Sequence, residues 1–231
     1  MAIVLDTNVT ANGNGVNSFN FAALTTAEAN EILICGIHFS NQNTTGITFN
    51  TLSWTLIGNV NVPTAGGEIF VYWALAASIL SSQTITATFT GGNFPQCSGI
   101  IQAWKGCDTT TPVGATQSGT VGNGTTVTGT YTSTVDNSQG IGFAGQTANN
   151  SMSAGSNQTE IIEVASIGTF SRSNAIYQNS VTTPAGSSVS MSSTTGSNCA
   201  MAIWGIELLP PATLSTEKKI FITTNTSFFG S

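Results

Sequence analysis

Histidine is the side chain that most often moves protons near neutral pH, and this chain has one, His38, within the apolar stretch Ile37-His38-Phe39. A general base must meet its substrate in a cleft. A histidine between two large apolar neighbours reads instead as a core or strand-edge residue. Nucleophilic catalysis has no better footing, because no G-x-S-x-G elbow occurs and no serine stands out from a Ser-rich background. Ser-His-Asp hydrolysis is thereby excluded.

Glycoside hydrolysis needs two carboxylates facing one cleft, about 5 to 9.5 Å apart. The pairs close in sequence are Glu28 with Glu31 and Glu160 with Glu163. Residues three apart on an extended strand point to opposite faces, so Glu160 and Glu163 are expected to diverge. Glu28 and Glu31 follow Thr25 in what reads as a short helical turn with a capping box, and both are expected as solvated turn acids. No E-x-D-x-x-E strand of the kind found in jelly-roll glucanases is present.

Metal and phosphate chemistry find little support. Cys35, Cys97, Cys107 and Cys199 form no C-x-x-C pair, and with a single histidine no zinc set of ordinary spacing can be drawn. They read as buried free thiols, with a disulfide as the alternative. Asp6, Asp108 and Asp136 are the candidate calcium ligands, but no spaced Asp/Asn loop surrounds them. The glycine run from Gly119 to Gly124 lacks the lysine of a phosphate loop and a following helix, so it reads as a β-turn. No cofactor is expected. Trp54, Trp73, Trp104 and Trp204 could stack on sugars, yet each sits among apolar strand residues and reads as core.

The elements that carry these residues are built from a charge-poor chain. Its 231 residues include 4 Lys+Arg and 10 Asp+Glu, for a formal net charge of −6, and only 6% are charged. Four cations are too few to neutralise a phosphate backbone, which argues against nucleic-acid binding. They also supply no basic membrane-binding face, and the longest apolar run, Ile69 to Leu80, falls short of the roughly 20 residues a bilayer demands. With 40% hydrophobic residues the chain nonetheless has the material for a core. Thr, Ser, Asn and Gly make up nearly half of it, a composition that suits strands and turns. The first residues, Met1-Ala-Ile-Val-Leu-Asp6, lack the basic start of a secretory signal, so synthesis in a cytoplasm is expected.

Strict alternation marks half-buried strands at Thr84 to Thr90, Thr126 to Thr132 and Ser188 to Ser192. Between them Ile32 to Phe39, Ile69 to Ala77, Ile100 to Trp104 and Ala200 to Leu209 are apolar at nearly every position, as strands buried on both faces would be. Turn clusters recur at Asn12 to Gly15, Thr64 to Gly67, Gly91 to Asn93, Gly122 to Gly124 and Pro184 to Gly186. An internal echo joins Ile85 to Trp104 with Val189 to Trp204, since each runs from an alternating strand into an apolar strand bearing Trp. The pattern implies an antiparallel β-sandwich, jelly-roll-like, as one domain over residues 1–211 in two related halves, followed by an extended C-terminal arm at 212–231.

The succession Asn30 to His38, Phe49 to Gly58 with Trp54, Glu68 to Ala74, Thr84 to Phe89 and Gly99 to Pro112 resembles a β-sandwich module of phage virion proteins and bacterial surface proteins. Residues from Gln139 to Leu209 are similar to its closing strands. The resemblance implies display, decoration or adhesion rather than catalysis.

Two features exceed what a solitary sandwich requires. The doubly apolar strands need cover on their outer faces. The arm, beyond Pro210-Pro211, carries Lys218, Lys219, Ile220, Phe221, Ile222, Phe228 and Phe229. Apolar burial alone does not offset the entropy of ordering such a segment, so its backbone must also find partners, as a strand added to a sheet edge would. These seven residues are therefore the expected partner-binding set. The expectation is a non-enzymatic virion structural protein, a capsid decoration or tail-associated subunit made in the host cytoplasm. Its expected partners are further copies of itself and other virion proteins. The alternative is a carbohydrate-binding or adhesin module with a glycan as partner.

Overall fold

The computed structural model describes residues 2–40, 44, 46–63, 66–91, 96–165 and 171–212. Among these residues every regular element is a strand and every pairing is antiparallel, so the chain is all-β. The first half comprises β1 (Val4–Gly13), β2 (Ser18–Asn20), β3 (Glu31–Ser40), β4 (Gly46–Phe49), β5 (Thr55–Val62), β6 (Gly67–Ala76), β7 (Thr86–Thr90) and β8 (Gln96–Lys105). The order β1-β8-β3-β6-β5 makes an inner sheet, and β2-β7-β4 an outer one.

The second half comprises β9 (Val113–Thr132), β10 (Gln139–Gln146), β11 (Met152–Ala154), β12 (Gln158–Ala165), β13 (Arg172–Gln178) and β14 (Ser188–Leu208). Here β9 and β14 each serve two layers. Residues 113–121 of β9 pair with residues 201–208 of β14, while 126–132 pair with 188–194, and the register breaks around Cys199 between them. The inner order is then β9-β14-β10-β13-β12, and the outer order β9-β14-β11. If the two stretches of β9 stand for β1 and β2, and those of β14 for β7 and β8, the halves have the same strand order in both layers. Each is an eight-strand jelly roll. The sequence echo falls on matching elements, β7 to β8 in one half and the two stretches of β14 in the other.

The inner sheets face each other. β3 lies against β10 and β13, β8 against β12 and β13, β1 against β12, β6 against β10 and β14, and β5 against β9 and β14, a set of contacts that maps onto itself when the halves are exchanged. Parity along β3 shows how the layers fill. Leu33, Cys35, Ile37 and Phe39 enter the cluster beneath the first outer sheet, while Ile32 and Ile34 enter the cluster between the inner sheets. A third cluster, with Val127, Tyr131, Val189 and Met191, lies between the second inner sheet and its outer ribbon. Gly36 sits where β3 meets Phe143, and an added Cβ would come within 2.1 Å of that ring.

The doubly apolar strands are covered from within the chain. Every residue of β3 and of β10 is buried, by the two outer layers and by each other. The need for cover was legible, and further strands of the same chain supply it at β3 and β10. The expected turn at Gly122 to Gly124 also proves different, since these residues continue β9 through the corner where it leaves one sheet for the next. At Gly119 an added Cβ would lie 1.8 Å from the Thr128 carbonyl oxygen, so the folded-back strand has room only for glycine. The helical turn expected after Thr25 is absent, and residues 27–30 form a bend.

Candidate functional site

His38 lies on the side of β3 that faces the second half and is fully buried. Its Nδ1 is 2.9 Å from Ser171 Oγ, and beside it Ser98 Oγ and Ser173 Oγ are 2.8 Å apart. Burial lowers its pKa to about 3, so the ring is neutral across the physiological range. A neutral ring sealed between two sheets reaches no substrate. The four cysteines are free and buried, and desolvation raises the thiols of Cys97 and Cys107 to about 12, which leaves them unreactive.

The carboxylates depart most from expectation. Glu31 is not solvated but only 1% exposed, at the first position of β3, where its Oε1 accepts the Glu28 N–H at 2.8 Å. That bond has the sense of a capping box without a helix. Asp6, in a β1 bulge, meets Lys105 at 3.2 Å, and Glu28 reaches the same amine at 3.8 Å. Burial, with the Asp6 charge adding to it, raises the Glu31 pKa despite the Glu28 N–H and Lys105. Glu160 and Glu163 do not diverge either. A bulge between Glu160 and Ile162 resets the alternation, so Glu160 accepts from Asn174 Nδ2 at 3.0 Å while Glu163 pairs with Arg172 at 2.9 Å and accepts the Met152 N–H. Burial, then the Glu163 charge, raises the Glu160 pKa. Glu207, fully buried, receives the N–H groups of Ala115 and Thr134 and the Thr134 hydroxyl, all within 2.9 Å. These bonds outweigh its burial and hold its pKa below the ordinary value.

The candidate calcium ligands are occupied separately: Asp6 by Lys105, Asp108 by the N–H groups of Thr110 and Thr111, and Asp136 by that of Ala185. Among the described residues no cluster of three or more His, Cys, Asp or Glu side chains is arranged to hold a metal ion.

Trp104 is buried core at 1% exposed, and Trp54, Trp73 and Trp204 are half-buried and packed against the core clusters. Trp54 borders a notch of about 260 Å³ with Phe49, Leu52 and Tyr72. A second concave region lies at the end of the molecule where the described chain finishes. A recess of about 680 Å³ is lined by Ala2, Val135, Val181, Pro210 and Pro211 together with the polar Asp136 and Asn137, and an adjoining one of about 380 Å³ shares Val181 and adds Val4, Gln178 and Asn179. Val4 is 50% and Val181 39% exposed, and elsewhere among the described residues Leu56 at 48% and Ile79 at 58% are as open. The expected partner-binding residues Lys218, Lys219, Ile220, Phe221, Ile222, Phe228 and Phe229 lie outside the described residues. No family model matches the chain, and no curated protein or solved structure is similar to it.

Proposed function

We propose that this protein is a non-enzymatic structural subunit of a phage particle, a capsid decoration or tail-associated protein, joined to its neighbours by its C-terminal segment. The observation that carries this reading is the pair of recesses, part apolar and part polar, at the end of the molecule where the described chain finishes. Most of the fold hides its apolar faces within its own four layers, yet Val4, Val181, Pro210 and Pro211 line open recesses at the place where the chain leads into residues 213–231. Aliphatic side chains exposed beside open recesses suit a contact, whereas the exposed Leu56 and Ile79 line neither recess. Both cations of the described residues, Lys105 and Arg172, are already paired with acids, so association would rest on apolar burial and backbone pairing more than on salt bridges.

Removal of residues 213–231 tests the reading. The shortened chain is expected to keep its unfolding midpoint, since every described strand precedes the segment, and to lose self-association and attachment to particles. Light scattering and co-sedimentation with purified particles measure both. A shortened chain that assembles and sediments like the full one sinks the proposal.

A further inference from the structure

The chain contains three Asn-Gly pairs, Asn12-Gly13, Asn14-Gly15 and Asn123-Gly124, each preceded by Ala or Gly. An asparagine in front of glycine is chemically labile, because no Cβ on the second residue hinders its backbone nitrogen from reaching the side-chain amide. Neighbouring residue types do not distinguish the three pairs. All three asparagines are exposed, so exposure does not distinguish them either. What separates them is how the fold holds the backbone.

The pairs occupy corresponding places in the two halves. The first two lie at the end of β1 and in its link to β2, and the third lies where β9 passes between layers, the equivalent corner of the second half. At that corner the chain stays paired. Gly124 is opposite Cys199 of β14, and an added Cβ would come within 2.8 Å of Val121 Cγ2. Asn12 is confined as well, opposite Ser98 of β8, with its Nδ2 donating to the Ala165 carbonyl at 3.0 Å. Gly13 beside it is buried, opposite Cys97, and an added Cβ would lie 2.4 Å from Val16 Cγ2. Asn14 and Gly15 instead form an exposed bend outside the strands. Gly15 has a φ of 66°, and beyond its chain neighbours nothing lies within 4 Å of the place a Cβ would take. Cyclisation needs the asparagine backbone to rotate, which a bend permits and a ladder forbids until it opens.

We propose that Asn14 is a self-modification site, deamidating spontaneously through Gly15 while the paired Asn12 and Asn123 are preserved by the fold. The Gly15 nitrogen loses its proton and attacks Asn14 Cγ. The N–Cγ bond forms, the Cγ–Nδ2 bond breaks, and Nδ2 leaves with that proton as ammonia. Water then adds to either carbonyl of the cyclic imide and opens it, giving aspartate or isoaspartate, with no change of oxidation state. The product adds one negative charge to the formal −6 of the chain, on the turn that joins the inner and outer layers of the first half. Because ammonia departs, each molecule passes through this change once. The inference stands apart from the particle reading, since neither residue lines the recesses at the C-terminal end.

Timed incubation of the full chain, followed by chymotryptic peptide mapping with fragmentation that tells aspartate from isoaspartate, tests it. One arm keeps the protein folded and a second holds it in guanidinium. In the folded arm Asn14 is expected to gain the mass difference between water and ammonia, partly as isoaspartate, several-fold faster than Asn12 and Asn123. Its rate should rise from mildly acidic to mildly alkaline buffer, because the attacking nitrogen must lose a proton. In guanidinium the three sites should convert at similar rates, since their local sequences are alike. Gly15→Ala places a Cβ beside that nitrogen and should slow the folded-state conversion several-fold. Three results overturn the proposal: Asn14 intact in the folded protein after the denatured chain has converted, Asn12 or Asn123 keeping pace with it in the folded protein, or the same ranking of sites in guanidinium.

Discussion

In the first half the outer layer consists of three short strands, β2, β4 and β7, and phenylalanines fill the space beneath them. Phe19 contacts Phe21 and Phe89 edge-on, and Phe39 does the same with Phe70 and Phe89, with centroids between 4.8 and 6.2 Å. In the second half the outer layer is mostly a continuation of the inner strands, since β9 and β14 bend and run on over the sheet they belong to. Beneath it lie Val127, Val189, Met191, Met201 and Ile203, without a comparable aromatic network among the described residues. The same strand order is thus closed in two ways. Strands of three to five residues contribute few ladder hydrogen bonds, so side-chain interlock has to retain them. A ribbon that is covalently continuous with the sheet is held by its backbone and by bonds such as Tyr131 Oη to the Ile206 carbonyl at 3.2 Å, and its core can be softer.

That contrast is most directly broken by emptying each outer core in turn. Phe39→Ala should cost about 4 kcal/mol, the usual range for a buried phenylalanine whose ring neighbours cannot close the gap. Met191→Ala should cost about 2–3 kcal/mol, because a flexible thioether lines a layer whose ribbon can settle onto the void. Urea unfolding of the two variants measures both losses. If the methionine substitution proves the more damaging, continuity of the ribbon is not what secures the second half.

Much of this was readable from residue order and some was not, for a physical reason in each case. Alternation at Thr84 to Thr90 placed β7 to within two residues, with Ala87 and Phe89 buried and Thr88 and Thr90 exposed. Strands apolar on both faces announced that something must cover them, because that demand is local to their side chains. Its source was hidden, since β2 is only three residues long and the corner of β9 is composed like a turn: Gly-Asn-Gly continues a strand there only because β14 runs alongside it. Carboxylate burial was hidden for a similar reason. The N–H groups that permit Glu207 to be dry come from Ala115 and Thr134, 92 and 73 residues away. Glu160 and Glu163 converge because of one bulge, which shifts a face assignment that period-two reasoning carries forward unchanged. At the notch, Trp54 was visible as a tryptophan, but the left-handed Leu52 that shapes its surroundings has no signature in residue type.

Of the three buried carboxylates, Glu31 and Glu68 in the first half and Glu207 in the second, Glu31 and Glu207 sharpen the comparison, because they are held in different states. In the second half Glu207→Gln should cost about 2–3 kcal/mol, as the loss of charge-assisted bonds to two N–H groups and a hydroxyl implies. With its pKa held below the ordinary 4.5, Glu207 lends stability that is complete above that value and drains away as pH falls through the depressed one. Glu31 in the first half has the opposite sign. Its pKa is raised, so the folded state favours the protonated acid, and the stability this brings is present below 4.5 and fades as pH rises through the raised value. A glutamine at that position resembles the protonated form and still offers an acceptor to the Glu28 N–H. Glu31→Gln should therefore change stability by less than about 1 kcal/mol near neutral pH, the smallest effect of the set, and should remove the decline between acid and neutral pH that the native residue causes. Thermal unfolding across that range separates the cases. If Glu31→Gln costs as much as Glu207→Gln at neutral pH, then Glu31 is held ionised like its counterpart, and the two halves stabilise their buried acids in the same way.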